Sequence, residues 1–188
     1  MLGSIKEFKY KLVKEFLTQE ELLLLKYYTD VNHRHNLTYF DHLGQSKNRD
    51  TFYYGDYVIE SLMMSKIKKM EELTKLKLLP TYSYWRMYTH GADLAKHKDR
   101  PSCEVSVTVM IGSCGTKWPI FMDKDSIEMN PGDAVIYLGC ELDHWREEFK
   151  GDWQAQCFLH YVDANGPNEK WKLDGRQYIG EKHVNSAG

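Results

Sequence analysis

The chain has 188 residues, which is enough for one domain with a substantial core, and no shift in composition argues for a second domain. Its 42% hydrophobic and 28% charged residues are typical of a globular domain rather than of a disordered or membrane-spanning one. A formal net charge of −2 gives the chain no general attraction for nucleic acid or for an acidic membrane, and we expect neither as a partner.

The first elements predicted from the N-terminus are a strand and a helix. Residues 5–13 alternate apolar and charged side chains, which is typical of an edge strand. Thr18 and Glu21 have the spacing of a capping box, in which each side chain bonds the backbone N–H of the other residue. Apolar residues over 22–28 then supply one face of a helix that begins after Thr18.

The next two segments predict a loop and a long helix. Residues 29–55 carry His33, His35 and His42 among Asn, Asp and Gly residues, and they predict a loop with at most a short element. His33 and His35 have the spacing of a metal-binding pair, but no strand pattern surrounds them, which favours a solvated loop. Residues 56–79 place Met and Leu at helical spacing between lysines, which predicts an amphipathic helix packed on a sheet.

From residue 81 the sequence changes to short runs with the period-two alternation of strands, separated by turn residues. The predicted strands are 81–89, 92–98, 103–112, 118–123, 125–129, 133–138, 141–146 and 152–163. Eight short strands indicate a double-sheet jelly roll, the double-stranded β-helix architecture of cupins. We therefore predict a mainly β fold with flanking helices. A single domain over 1–188 has helical support over 1–80, the jelly-roll core over 81–163 and a tail over 164–188.

The segment between two of these strands carries a candidate metal site. His97 and Asp99 are separated by one residue at a strand end, and side chains two positions apart in a strand point to the same side. His144 follows another strand-like run and can supply a third ligand. Two histidines and one carboxylate form the facial triad of non-haem Fe(II) oxygenases, which leaves positions open for substrate and oxygen. His97, Asp99 and His144 are thus the predicted metal ligands and catalytic residues.

The order of motifs in this region resembles that of the 2-oxoglutarate and Fe(II)-dependent dioxygenases, and most of all their prolyl 4-hydroxylase-like branch. The motifs are Tyr88-x-x-Gly91-Ala-x-Leu94-x-x-His97-x-Asp99, then Pro131-Gly132-Asp133, then His144. The resemblance implies Fe(II) as metal, 2-oxoglutarate as cosubstrate and O₂ as oxidant, with ascorbate as a reductant. It also implies hydroxylation of a prolyl or other peptidyl residue, coupled to decarboxylation of 2-oxoglutarate to succinate.

The residues that bind the cosubstrate are only partly indicated by this resemblance. The family commonly offers a tyrosine at the position of Tyr88 to 2-oxoglutarate. The prolyl hydroxylase pattern places a lysine or arginine on the strand after the distal histidine, where this chain has Gln154, which can supply only neutral hydrogen bonds. An arginine binds a carboxylate through two parallel hydrogen bonds. Our first candidate is Arg86, which shares a strand face with Tyr88; the second is Arg146, two residues after His144, and the third is Arg100.

Other functions stay open from the sequence. A small-molecule hydroxylase of the same superfamily and a non-catalytic cupin-like metal-binding protein both fit the predicted fold. Halogenases replace the carboxylate ligand by a small residue, and Asp99 argues against that reaction. The candidates for a substrate pocket are aromatic residues that equally suit a barrel core, namely Trp85, Trp118, Tyr137 and Trp145.

The cysteines indicate a reducing compartment. Cys103, Cys114, Cys140 and Cys157 contain no C-x-x-C pair, and the N-terminal residues lack the apolar core of a secretory signal. We therefore predict free thiols and a cytoplasmic protein.

Overall fold

The chain folds into two antiparallel sheets that face each other, with helices on one side. The computed structural model describes residues 4–40 and 50–181. Its helices are α1 (Ile5–Phe8), α2 (Gln19–Phe40) and α3 (Tyr57–Thr74). Its strands are β1 (Tyr10–Val13), β2 (Thr51–Tyr54), β3 (Leu78–Thr89), β4 (Leu94–His97), β5 (Val105–Ser113), β6 (Ile120–Met122), β7 (Asp125–Ile127), β8 (Ala134–Tyr137), β9 (His144–Arg146) and β10 (Trp153–Asp163). Short 3₁₀ segments lie at Pro101–Cys103 and Glu169–Gly175.

The arrangement of the strands confirms the predicted fold class. The larger sheet has six strands in the order β1-β8-β5-β10-β3-β2, and the smaller has four in the order β4-β9-β6-β7. Two facing antiparallel sheets of this kind form a jelly roll. All eight predicted strands are present, with ends that differ by a few residues. In the part of the chain that is described, no helix is long and apolar enough to cross a membrane.

Strand β10 shows why the two faces of the larger sheet differ. Cys157 and Leu159 are fully buried in the core that the sheet shares with the helices. The alternate residues Gln154, Gln156 and His160 are also buried, but they are polar. Because successive side chains of a strand point to opposite faces, these polar residues face the smaller sheet. The space between the two sheets therefore has polar walls, which suits a ligand rather than a packed core.

Residues 5–13 form a helical turn and then the edge strand β1, so the predicted edge strand is confirmed over Tyr10–Val13 and wrong over Ile5–Phe8. Ser4 is the N-cap of α1, and its Oγ accepts a hydrogen bond from the Lys6 N–H. Lys9 then adopts a φ of 60°, after which β1 begins at Tyr10. Ile5 is fully buried in the core next to the helices. Burial of this residue decides the local structure more strongly than the alternation of its neighbours does.

The loop predicted over 29–55 is wrong as well. Helix α2 continues well into this segment and β2 occupies its end, while residues 41–49, with His42, lie outside the described residues. Asn36 is buried, and its Oδ1 accepts a hydrogen bond from the hydroxyl of Tyr53 on β2. Contacts between distant segments override the weak helix propensity of this polar stretch.

The capping box predicted at Thr18 and Glu21 is present at the start of α2. The N–H of Thr18 donates to Glu21 Oε2 at 2.8 Å, and the N–H of Glu21 donates to Thr18 Oγ1 at 3.2 Å, so the capping box is formed. The helix predicted over 56–79 is α3, with Asp56 as its N-cap. It ends earlier than predicted because Lys75 adopts a left-handed conformation, which turns the chain into β3.

Two ion pairs attach the segment after β10 to the rest of the fold. Arg100 donates to both carboxylate oxygens of Asp174 at 2.7 Å. Arg176 and Glu60 form an ion pair at 2.6 Å in which each side chain is 1% exposed. Removing one member of such a buried pair leaves an uncompensated charge and costs roughly 3–5 kcal/mol. This segment is therefore an integral part of the fold.

The cysteines are all free thiols, as predicted. Cys103 and Cys157 are buried, Cys140 is half-buried and Cys114 is exposed.

Candidate metal centre

Neighbouring strands of the smaller sheet bring the three predicted ligands together. His97 ends β4 and His144 begins β9, and these two residues are direct partners in the antiparallel pairing. Asp99 follows β4, and its N–H donates to the Gly139 carbonyl at 2.8 Å, which anchors the turn that carries it. Strand pairing and one backbone hydrogen bond thus place two imidazoles and a carboxylate at one end of the barrel.

The distances between the ligand atoms fit one metal ion. Asp99 Oδ1 lies 3.4 Å from Nε2 of His97 and 3.5 Å from Nε2 of His144. The three ligand atoms all lie within 4.8 Å of one another. Metal–ligand bonds of 2.0–2.2 Å at right angles put neighbouring ligand atoms about 3 Å apart, so small side-chain rotations complete the site.

Backbone carbonyls fix the orientation of both imidazoles. His97 Nδ1 lies 2.8 Å from the Ala95 carbonyl oxygen, and His144 Nδ1 lies 3.0 Å from that of Leu142. A carbonyl can only accept, so each Nδ1 carries the proton and each Nε2 keeps its lone pair for a metal. Outer hydrogen bonds of this kind are typical of metal-binding histidines.

Asp99 is held as a carboxylate in a position that only a glycine neighbour permits. Burial by itself raises the pKa of Asp99, but the adjacent imidazoles of His144 and His97 outweigh it and hold the pKa well below its usual range. A Cβ on Gly139 would lie 2.4 Å from Asp99 Oδ2 and 2.4 Å from the Cys103 carbonyl oxygen. Any larger residue at this position would displace the carboxylate.

The second carboxylate oxygen of Asp99 meets a short chain of buried polar groups. Ser106 Oγ lies 3.3 Å from Asp99 Oδ2 and 2.8 Å from Nδ1 of His160. Burial lowers the pKa of His160 to about 4, so its imidazole is neutral. The chain orients Asp99 so that Oδ1 faces both histidines. Cys103 also lies close enough to Asp99 and His160 to join them as a ligand group.

A cavity of about 290 Å³ opens beside the three ligands. The larger sheet contributes most of its other walls, through Tyr82, Tyr84, Arg86, Tyr88, Tyr137, Phe158 and His160. A larger cavity of about 660 Å³, beside Lys68 and Glu71, has no histidine or cysteine among the described residues that line it. The chemistry of the walls, and not the volume, therefore identifies the candidate site.

Comparison with solved structures agrees with this geometry. A viral collagen prolyl hydroxylase from Paramecium bursaria Chlorella virus-1, in complex with 2-oxoglutarate, superimposes with a TM-score of 0.62 at 13% identity, over 85% of this chain and 98% of that one. HygX from Streptomyces hygroscopicus, with nickel and 2-oxoglutarate bound, superimposes with a TM-score of 0.61 at 9% identity, over 84% of this chain and 83% of that one. The non-haem α-ketoglutarate-dependent carbocyclase SnoK from nogalamycin biosynthesis superimposes with a TM-score of 0.63 at 10% identity, over 85% of this chain and 81% of that one.

This chain has the fold of the 2-oxoglutarate/Fe(II) oxygenases. The sequence itself matches no protein-family model and no curated protein. The similarity of the fold is therefore visible in the structure and not in the sequence comparison.

The three candidate arginines differ in their partners. Arg86 donates from Nε to Asp50 Oδ2 at 2.7 Å, and a second contact of its guanidinium with this carboxylate completes an ion pair. Arg100 is bound to Asp174. Arg146 is 2% exposed, and among the described residues no carboxylate pairs with it.

The surroundings of Arg146 are polar but uncharged. Its Nη1 donates to the Trp118 carbonyl, and its guanidinium lies 4.7 Å from the centre of the Trp118 ring. With the Gln156 amide turned to satisfy both of its ends, the Gln156 oxygen accepts from Arg146 Nη2 at 3.2 Å and from Gln154 Nε2 at 2.9 Å. Burial lowers the pKa of Arg146 to about 10. A buried guanidinium without an acidic partner is costly, and an anionic ligand would remove that cost.

Tyr88 lines the cavity beside the candidate metal site, whereas Gln154 is not among the described residues that line it. Tyr88 is 2% exposed on the inner face of β3, and the Arg86 guanidinium lies 4.3 Å from the centre of its ring. Gln154 is its direct partner on β10 and is also 2% exposed. Gln154 reaches Arg146 only through Gln156, so it supports the guanidinium rather than replacing a missing cation.

Of the four aromatic residues proposed for the pocket, only Tyr137 lines the cavity. Trp85 is fully buried in the core next to the helices. Trp118 packs in a small cluster with Tyr88, and Trp145 stacks on Phe121. Alternation along the strands explains the difference, because Trp145 points away from the side that His144 and Arg146 occupy.

Ser106, Gly139 and His160 are site residues that the sequence pattern did not single out. A signal for two of them exists in the alternation of the strands. Ser106 and Thr108 interrupt an otherwise apolar strand with polar side chains on one face, and His160 continues the polar series of β10. Polar residues on alternate positions of a buried strand thus indicate the inner face of this barrel.

Proposed function

We propose that this protein is an Fe(II)- and 2-oxoglutarate-dependent oxygenase that hydroxylates a C–H bond of its substrate. The observation that carries the proposal is one strand, β9, whose inner face presents His144 to the metal position and, towards the interior, Arg146, with which no carboxylate of the described residues pairs. Residues two apart in a strand are separated by roughly 7 Å, a distance that suits a short dicarboxylate held by a metal at one end and a guanidinium at the other.

Each residue of the site has a role in this proposal. His97, Asp99 and His144 hold Fe(II) by one face, and Arg146 binds the far carboxylate of 2-oxoglutarate through a charge-assisted hydrogen-bond pair. When bound, iron and 2-oxoglutarate supply the oxidising chemistry, with conversion of the cosubstrate to succinate. Tyr88 borders the cosubstrate, and the buried walls of the barrel exclude water from it.

The structure changes the order of preference among the arginines, and Arg146 now precedes Arg86. Arg86, our first candidate from the sequence, already has Asp50 as its partner, and Arg100 already has Asp174. A guanidinium whose charge is balanced by the protein gains less from a ligand carboxylate than one whose charge is not. Arg146 is therefore the proposed cosubstrate residue.

A prolyl or other peptidyl residue is the substrate class that we favour. The resemblance of the motifs and the similarity to the viral prolyl hydroxylase fold support this choice. Tyr84 and Phe158 line the cavity and offer apolar faces to an uncharged ring or side chain. The alternative is a small-molecule substrate, which the similarity to the SnoK fold supports.

The decisive assay measures succinate and CO₂ after addition of Fe(II), ascorbate and 2-oxoglutarate. We expect turnover by the parent chain and none by His97→Ala or His144→Ala, with loss of Fe(II) binding in a titration of each variant. A non-catalytic metal-binding protein would bind Fe(II) and release no succinate. Proline-rich peptides and a panel of small molecules, read by the mass of one added oxygen atom, then separate the two substrate classes.

A further inference from the structure

Helix α2 presents large apolar side chains to solvent. Leu23, Leu24, Tyr27 and Val31 are 57%, 63%, 65% and 63% exposed. They lie on successive turns of the helix and form one continuous stripe, because residues three and four apart are neighbours on a helix surface. Scattered exposed apolar residues are ordinary, but a continuous stripe marks an interaction surface.

The fold does not need this stripe. The opposite face of α2 already packs on the domain through Leu25, which is 2% exposed, and through Tyr28, whose ring lies edge-on to Trp85 at 6.3 Å. The capping box at Thr18 fixes the start of the helix. The outer face therefore carries apolar side chains that contribute little to the stability of a single chain.

The positions on the outer face have a symmetry that identifies the partner. Numbered from the centre at Tyr27, the face has Leu23 and Val31 four residues to either side, and Glu20 and Arg34 three residues further out. An antiparallel copy of the same helix places Tyr27 against Tyr27, Leu23 against Val31, and the acidic Glu20 against the basic Arg34, while Leu24 lies at the edge opposite Asp30. A two-fold interface requires this reciprocity, in which residue i meets residue j and residue j meets residue i.

We propose that the outer face of α2 binds the same face of a second copy of this chain, antiparallel, in a two-fold dimer. Glu20 is exposed, and Arg34 is 76% exposed in an intrahelical pair with Asp30 at 3.0 Å. An exposed pair of this kind contributes little, and a guanidinium has donors for a second carboxylate. Lys26, also exposed, flanks the stripe.

The proposed dimer leaves the metal centre open. The buried side of α2 contacts the helix-covered face of the larger sheet, whereas the cavity beside His97 lies between the two sheets. The stripe covers one helix face, which is smaller than the roughly 800 Å² per partner of a standard interface, and it adjoins a cavity lined also by Met87, Asp152 and Trp153. We therefore expect a dimer that dissociates reversibly on dilution.

Charge reversal tests both the surface and its register. In sedimentation velocity over a range of concentrations, we expect the parent chain to dimerise and Glu20→Arg or Arg34→Glu to weaken dimerisation about tenfold, since each variant places like charges opposite each other at both ends. The double variant Glu20→Arg/Arg34→Glu should restore dimerisation. Lys68→Glu, a charge reversal on the exposed side of α3, is the matched control and should change nothing. Thermal melts confirm that each variant is folded.

Cross-linking provides an independent test of the symmetry axis. On mild oxidation, Tyr27→Cys should form an intermolecular disulfide much faster than the parent chain, whose exposed thiol is Cys114. Lys68→Cys, the control, should not form an intermolecular disulfide faster than the parent chain. A parent chain that sediments as a monomer at every concentration overturns the proposal. If the single charge reversals leave dimerisation unchanged, the outer face of α2 is not the interface. If the double variant stays monomeric, the antiparallel register is wrong.

Discussion

Replacement of Arg146 by glutamine separates cosubstrate binding from metal binding. The proposed role of Arg146 is to pair with the far carboxylate of 2-oxoglutarate inside a barrel where water cannot replace it. We expect Arg146→Gln to raise the KM for 2-oxoglutarate strongly while the Fe(II) affinity changes little. The measurement is succinate release against 2-oxoglutarate concentration, together with a metal titration of the same variant.

The magnitude follows from the contacts of the guanidinium. A charge-assisted hydrogen bond contributes roughly 1.5–3 kcal/mol, which corresponds to a 10- to 100-fold rise in KM. Stability should change much less. Burial lowers the pKa of Arg146 from 12.5 to about 10, and this shift corresponds to about 3 kcal/mol of desolvation that the variant no longer carries. Against this gain, the Trp118 carbonyl loses its donor, which costs roughly 1–3 kcal/mol.

Arg86→Gln is the matched control because the same substitution should have the opposite profile. Asp50 is buried, and loss of its Arg86 partner should lower the melting temperature, since an unpaired buried carboxylate costs roughly 1–3 kcal/mol or more. Its effect on the 2-oxoglutarate KM should be smaller than that of Arg146→Gln, and that of Tyr88→Phe should also be smaller. If Arg86→Gln raises this KM more than Arg146→Gln does, the assignment of the carboxylate to Arg146 is refuted.

Three further predictions concern the surroundings of the metal and the thiols. Gly139→Ala should weaken Fe(II) binding more than tenfold in a titration, because the new methyl group overlaps Asp99; parent-like affinity would contradict the crowding at this position. Ser106→Ala should weaken Fe(II) binding by about 10-fold, because it removes the hydroxyl that orients one carboxylate oxygen of Asp99. Ser106→Thr keeps a hydroxyl and should restore binding. If the role of Ser106 is purely steric, Ser106→Ala should have no effect. Burial raises the pKa of Cys114, but hydrogen bonds from Thr116 and backbone groups lower it to about 7, so iodoacetamide should modify this thiol first, with a midpoint near pH 7. A midpoint near pH 9 in native protein would show that these hydrogen bonds are absent.

The sequence predicts the parts of the fold that depend on local alternation. The strands from residue 81 onward were placed correctly because buried and inward-facing residues alternate with period two along each of them. The helix and strand within 29–55 were missed because their stability comes from contacts across the chain, such as that of Asn36 with Tyr53. No local pattern contains that information.

The same division holds at the candidate site. The triad is readable because ligand type and strand spacing are local properties of His97 and Asp99, with His144 at the start of a later strand. The sequence does not predict which arginine binds the cosubstrate, since this depends on which guanidinium already has a carboxylate partner. Asp50 and Asp174, the partners of Arg86 and Arg100, are distant in the chain and belong to segments that showed no relation to the site.

The ion pair between Arg100 and Asp174 has a consequence for the order of events during synthesis. Arg100 directly follows Asp99, a proposed metal ligand, so the turn that carries Asp99 is held in part by Asp174, a residue that leaves the ribosome much later. The buried charge of Glu60 is likewise balanced only after Arg176 has been synthesised. A nascent chain that has exposed Asp99 and both histidines therefore still lacks one contact of the turn that carries Asp99. Iron uptake is expected to follow the emergence of the segment around residues 174–176.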